Sequence, residues 1–322
     1  MKKNIIVTGG EGFIGSNLCI YLKNFYNVIS IDNGNLKNPF KKINFYKNFN
    51  FSIGNKKKFI KVLRKYKPIF VFNLAAESHV DNSIKNPLKF FDNNIGETCN
   101  FLQVIVENLK FLNKDFRLIH LSTDEVYGSI EKNSQKIFKE NFQLLPNSPY
   151  SSSKAAIDLI INSYNKTFSL PAIIVRSCNN FGPHQHYEKL IPKIISNSLS
   201  NKKIPIYAKG DQVREWIFVS DTVKQIFLIA KKGSVGEIYN IGSGVRVSNL
   251  TLTKKILLQM SELTKINKKK LFQLITHVKD RAGHDYKYAV CTKKLDKIIK
   301  YKPKLNFDDN IKETILWYKK IK

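Results

Sequence analysis

Cysteine is sparse in the 322-residue chain: Cys19, Cys99, Cys178 and Cys291 stand far apart. That spacing excludes a zinc knuckle and a redox CxxC pair, and scattered thiols fit a reducing cytosol. Arginine is scarcer still for so basic a protein. Of 54 Lys and Arg residues only six are Arg, at positions 64, 117, 176, 214, 246 and 281. Acidic residues number 25, leaving a formal net charge of +29. The lysines are spread through the chain, and the clusters Lys56–Lys58 and Lys268–Lys270 are short and lack interleaved aromatics. We read the charge as compositional bias on solvated faces, not as a nucleic-acid site, although such a field draws in anionic ligands. No apolar run approaches the roughly 18 residues of a membrane span. The opening MKKNIIV is basic, but its apolar run stops at Thr8-Gly9-Gly10, too short for a signal peptide and suited to a first strand. These features predict a cytoplasmic protein with no membrane partner.

What is present is a regular alternation. Short β-branched runs occur at Asn4–Val7, Val28–Ile31, Ile69–Leu74, Arg117–Leu121 and Ala172–Val175. Helical spacing fills longer segments between them, as at Asn94–Leu109 and Ser153–Phe168. Buried strands alternating with helices predict an α/β fold with a doubly wound parallel sheet. After about residue 176, Pro183, Pro192 and Pro205 and Gly210, Gly233, Gly236, Gly242 and Gly244 loosen the pattern. We therefore expect a Rossmann domain over 1–176. A smaller mixed α/β domain over 177–322 should bind substrate, with some segments returning to the first sheet.

The first strand runs into Gly9-x-x-Gly12-x-x-Gly15. Such a turn lets backbone approach a pyrophosphate, whose charge the following helix N-terminus favours. A glycine-rich turn alone is an ordinary β–α loop. Here a strand precedes it, an apolar helix follows, and Asp32 ends the second strand. A carboxylate there can accept both ribose hydroxyls of an adenosine and repels the extra phosphate of NADP. NAD is the expected cofactor.

Tyr150-Ser-Ser-Ser-Lys154 places a hydroxyl and an amine one helical turn apart. The lysine charge favours a tyrosinate able to act as a base. The pattern alone occurs by chance on many solvated helices. Upstream, however, Thr123-Asp124-Glu125 ends the strand Arg117–Leu121, where open α/β sheets hold their ligands. His184 and His186 have no carboxylate at metal spacing, and no metal is expected.

The glycine turn and Y-x-x-x-K resemble the extended short-chain dehydrogenase/reductase superfamily, and the Thr-Asp-Glu set resembles its nucleotide-sugar 4,6-dehydratases. Further blocks carry the resemblance from residue 4 to about 318: Leu74–Asp81, Arg176–Pro183, Glu188–Pro192, Gln212–Trp216, Tyr239–Gly242 and Asp280–His284. The resemblance implies loss of water from a nucleotide hexose through transient NADH, on dTDP-glucose or alternatively on another such as UDP-glucose. It implies that Tyr150 takes the proton of the sugar 4-hydroxyl, helped by Thr123 and Lys154. Glu125 then takes the carbon-5 proton, and protonated Asp124 serves the departing 6-hydroxyl. The implied cofactor contacts are Gly9, Gly12, Phe13, Ile14, Gly15, Asp32, Asn33, Asn35, Ser52, Ile53, Leu74, Ala75, Ala76, Ser78, Asn93, Tyr150, Lys154 and Asn180. Substrate contacts are implied for Ser78, Thr123, Asn179, Lys189, Leu190, Pro205, Tyr207, Asn240 and His284, with Arg214 and Arg281 for the diphosphate. A homodimer built on the helices 94–109 and 153–168 is also implied. The chain departs from the family at Ser52-Ile53, where an acid is usual, and at Asn93, Phe181 and Cys291, where Thr, Tyr and Asp are common.

Overall fold

The structure, a computed structural model, describes residues 2–34, 43–301, 303 and 306–321. Asn35 lies outside the described residues. The strands β1 (Asn4–Thr8), β2 (Asn27–Asp32), β3 (Lys47–Asn50), β4 (Phe70–Asn73), β5 (Arg117–Thr123) and β6 (Ala172–Ser177) join Ile238–Ile241 in one sheet. The order is Ile238–Ile241, β6, β5, β4, β1, β2, β3, and every pairing is parallel.

The two-residue period of a strand divides its side chains between two cores. Ile5, Val7, Phe72, Ile119 and Val175 enter one hydrophobic cluster; Ile6, Val71, Leu118 and Ile174 enter the other. Both faces are buried, so the strands read as continuous apolar runs. Connections diverge between β1 and β4, which opens a crevice at the carboxyl ends of the strands.

A third cluster, around Phe181, Ile194, Trp216, Phe218, Leu252, Ile256 and Ile315, supports the C-terminal half. There Arg246–Ser248, Val213–Phe218 and Asn179–Phe181 form a small sheet, and Ile204–Tyr207 pairs with Ile275–Val278. Phe181 is fully buried against Trp216, Phe218 and Phe307, so its ring has no use for a hydroxyl.

One expected helix differs. The segment 94–109 is not uniformly α-helical: Asp92–Glu97 is a π-helix, and only Thr98–Asn108 is α. The wider turn lets Asn94 accept from Glu77 N at 2.8 Å and donate to Ser153 Oγ at 2.9 Å, tying the β4 loop to the next helix. That next helix, Pro149–Phe168, starts earlier than the apolar pattern indicated. Ser148 and Ser151 form a reciprocal capping box, and Pro149 occupies the first turn.

Candidate active site

At the β1 turn the backbone is packed too closely for any side chain. A Cβ on Gly15 would lie 2.0 Å from the Gly9 carbonyl oxygen. Gly9 itself has φ +66° and faces Ala75 N, 2.8 Å from where its Cβ would sit. The helix α1 (Phe13–Leu22) therefore begins hard against the strand, its first N–H groups turned to the crevice.

Asp32 ends β2 there. Its Oδ2 accepts from Glu11 N at 3.1 Å and its Oδ1 from Gly34 N at 3.0 Å. Burial pushes its carboxyl up, and these backbone N–H groups oppose that push. A cavity of about 80 Å³ opens beside it, lined by Asn33, Ser52, Ile53, Ala75 and Asn93 among others. It adjoins a larger cavity of about 260 Å³ through the shared walls Gly9, Gly12, Leu74 and Ala76. Phe13, Ile14, Gly15, Ser78, Asn180, Tyr150 and Lys154 line the larger one. Every cofactor residue expected from the sequence, Asn35 apart, thus lies along one continuous cleft. A glycine cradle, a helix N-terminus and a carboxylate at the far end fit a dinucleotide.

Thr123, Glu125, Asn179 and Lys189 line the larger cavity with Tyr150 and Lys154. Thr123 hydrogen-bonds Tyr150, and burial holds the phenol well above its ordinary range. Lys154 Nζ donates to the Leu121 carbonyl at 2.7 Å, and burial lowers its amine to about 8. Asp124 does not line the cavity. It is 1% exposed, its Oδ1 accepts from Thr123 Oγ1 at 3.3 Å, and its Oδ2 has no hydrogen-bond partner among the described residues. Burial, then the charges of Glu125 and Glu215, hold it well above the carboxylate range against Arg214. Glu125 is raised by burial too, but Arg281, Arg214 and Lys189 pull it back. Both carboxyls are thus raised, Asp124 well above its ordinary value and Glu125 against the pull of three cations.

The other expected substrate residues are placed as follows in the fold. Tyr207, Arg281 and His284 gather on the far side around Asp81. Tyr207 donates to Asp81 Oδ2 at 2.9 Å, Arg281 NH1 lies 3.5 Å from Asp81 Oδ1, and the Tyr207 and His284 rings are 5.8 Å apart. Lys189 Nζ bridges to the Ser78 carbonyl at 2.7 Å. Arg214 is buried, donating to the carbonyls of Val213, Tyr286 and Asp285 with its guanidinium over Tyr288, and reaches the site through its charge. Leu190 packs on the C-terminal core, and Pro205 is exposed on its strand.

Asn240 corrects the expectation. It is fully buried, accepts from Tyr127 OH at 2.8 Å and donates to the Phe138 carbonyl at 3.2 Å. Tyr127 in turn accepts from Arg176, which pairs with Asp158 at 2.8 Å. Asn240 ends a buried polar network and has no surface left for a ligand.

Several cleft residues were not foreseen, among them Glu11, Ser122, Ser177, Cys178, Gln185 and Glu188. Ser122 and Ser177 lie at the carboxyl ends of β5 and β6, and that position was the available signal.

A family profile described as GDP-mannose 4,6 dehydratase matches residues 6–314. The chain belongs to this 4,6-dehydratase family. Within it, the chain is 39% identical to the dTDP-glucose 4,6-dehydratase of Haemophilus influenzae, over 98% of this chain and 97% of that one. Its fold superposes on the Streptomyces venezuelae dTDP-glucose 4,6-dehydratase, solved with NAD, with a TM-score of 0.86 at 34% identity, covering 98% of this chain and 97% of that one. The Bacillus anthracis dTDP-glucose 4,6-dehydratase, also solved with NAD, gives 0.83 at 36% identity, covering 99% and 97%. These likenesses agree with the dehydratase resemblance of the motifs. Among the described residues no helix is long and apolar enough to cross a membrane, no cluster suits a metal ion, and all four cysteines are free.

Proposed function

We propose that the chain converts dTDP-glucose to dTDP-4-keto-6-deoxyglucose with NAD as its resident cofactor. The observation that supports this reading is the carboxyl pair at the end of β5: Glu125 lines the cleft with Tyr150 and Lys154, and Asp124 lies buried behind it, held by burial well above the ordinary carboxylate range. Held along the cleft from Asp32 past Gly9, Gly12 and Gly15 to Tyr150 and Lys154, NAD would supply a reversible hydride acceptor for carbon-4 and carbon-6. Tyr150 takes the proton of the 4-hydroxyl, and Thr123 orients that hydroxyl. The Lys154 charge favours the tyrosinate. Glu125 removes the carbon-5 proton, acidified by the new ketone, and Asp124 gives its proton to the departing 6-hydroxyl. Asp32 favours NAD over NADP.

Ser78, Asn179 and Lys189 sit where a nucleotide sugar would meet the cofactor, and Arg281, Tyr207 and His284 are assigned to the diphosphate and base side. Arginine suits a diphosphate better than lysine because its planar fork bonds two oxygens at once. We also propose a homodimer through the helices 94–109 and 153–168. Leu159 is 60% exposed on the second, apolar surface that a partner's helix would cover. The protein is assigned to the cytosol, and its net charge to general surface bias with no specific nucleic-acid partner.

The test is incubation of the purified protein with dTDP-, UDP- and GDP-hexoses in separate reactions. A 4-keto product from dTDP-glucose in preference to the others supports the reading. Preference for UDP-glucose would reassign the base, and no keto product from any would overturn it.

A further inference from the structure

One buried polar chain has no part in the chemistry above. Thr8, Asn73 and His120 stand in register on the adjacent strands β1, β4 and β5. All three are buried, in strands whose other inward residues are mostly apolar. Thr8 Oγ1 donates to Asn73 Oδ1 at 2.7 Å. Asn73 Nδ2 faces His120 Nδ1 at 3.0 Å, and His120 Nε2 faces Lys154 Nζ at 3.3 Å. The chain therefore runs from the residue before the glycine turn to the lysine of the active site.

Its direction follows from the donors available. With the threonine hydroxyl on its oxygen, the Asn73 amide presents an N–H to the ring. Nδ1 accepts it, and a neutral imidazole then carries its proton on Nε2. That N–H points at Lys154 Nζ. We propose that His120 is a positioning residue of the active site: its Nε2–H can be accepted only by the neutral Lys154 amine, so it holds that form in place and opposes the ammonium. The inference rests on the role given to Lys154 above.

The other groups that face Lys154 act differently. Asp158 and Tyr150 share its helix, and Asp158 pulls the lysine toward its charged form while paired with Arg176 on β6. Glu125 and Asp124 act on Tyr150. Burial brings the amine down to about 8, and burial together with the lysine charge holds His120 itself well below the ordinary imidazole range. The consequence is a lysine poised to lose its charge near neutral pH, with His120 as one of the groups setting the point.

Two measurements test this. The first uses the unaltered chain with ¹⁵N-labelled histidine and needs no substrate, so failure of the dehydratase reading leaves it standing. His120, correlated with its own backbone amide, should show an accepting Nδ1 and a protonated Nε2, with no imidazolium, from roughly pH 6 to roughly pH 8. The opposite tautomer or a charged ring overturns the proposal. The second compares His120→Leu with His120→Gln, whose amide can again offer an N–H. In the Leu variant the alkaline limb of the sugar-oxidation rate should move up by about one pH unit while KM stays within about twofold. His120→Gln should keep the parental limb. A His120→Leu protein that binds NAD and retains the parental limb shows that His120 only fills the sheet. If that variant does not fold, the nitrogen measurement decides alone.

Discussion

Asp124 and Glu125 are adjacent in the chain but differently placed: Glu125 lines the cleft, while Asp124 is 1% exposed behind it, bonded to the Thr123 hydroxyl at 3.3 Å. The arrangement follows from the end of β5. Thr123 caps the single 3₁₀ turn Asp124–Tyr127, accepting from Glu125 N at 3.3 Å. The turn sends consecutive side chains in different directions, so one carboxyl loses water and the other faces the cations Arg281 and Lys189.

Asp124→Asn keeps the shape of the side chain but has no acidic proton. Loss of water should slow by about 10²–10⁴-fold, the usual worth of one general acid. Sugar oxidation should survive, so NADH absorbance should build up on rapid mixing with substrate. Tyr150→Phe should show no such rise. Turnover of Asp124→Asn at the parental rate removes Asp124 from the acid role. Bound substrate with no NADH would mean that it acts earlier.

The positions of these residues were legible in the sequence because each depends on short spacing: the three glycines, Asp32 at a strand end, the Thr-Asp-Glu run and the i, i+4 pair of Tyr150 and Lys154; the roles of Asp124 and Glu125 came from the family resemblance. The rest depends on what stands opposite in space. His120 meets Asn73 only through the register of β4 with β5. Asn240 looked like a substrate contact until the pairing of Ile238–Ile241 with β6 set its amide beside Tyr127 and the Arg176 network. The π-turn at Asp92–Glu97 serves Glu77 and Ser153, partners distant from it in sequence.

Cofactor choice should turn on Asp32. Its carboxylate lines the smaller cavity, and among the described residues no lysine or arginine lines that cavity. Equilibrium binding should favour NAD over NADP in the parent. Asp32→Asn should narrow the gap by weakening NAD and relieving the repulsion of a 2′-phosphate. Tighter binding of NADP by the parent contradicts this account of the site.

The Arg176–Asp158 pair should matter for stability more than for chemistry. Its side chains are 3% and 0% exposed, and Arg176 also donates to Tyr127 OH at 2.9 Å. Arg176→Met strands a buried carboxylate and should cost about 3–5 kcal/mol. The double change Arg176→Met with Asp158→Leu should recover part of that loss, since neither member of the pair is then left buried alone. Urea denaturation of the three variants measures it. Equal stability of parent and Arg176→Met would show that the pair is not a structural element.

Return of the hydride within one site is the centre of the account. It is tested by dTDP-glucose carrying deuterium at carbon-4, mixed with unlabelled dTDP-glucose. The account predicts a 4-keto-6-deoxy product with the deuterium on carbon-6 of the same molecule and no net NADH. Deuterium released to solvent or to free cofactor, or a product that retains its 6-hydroxyl, would contradict it.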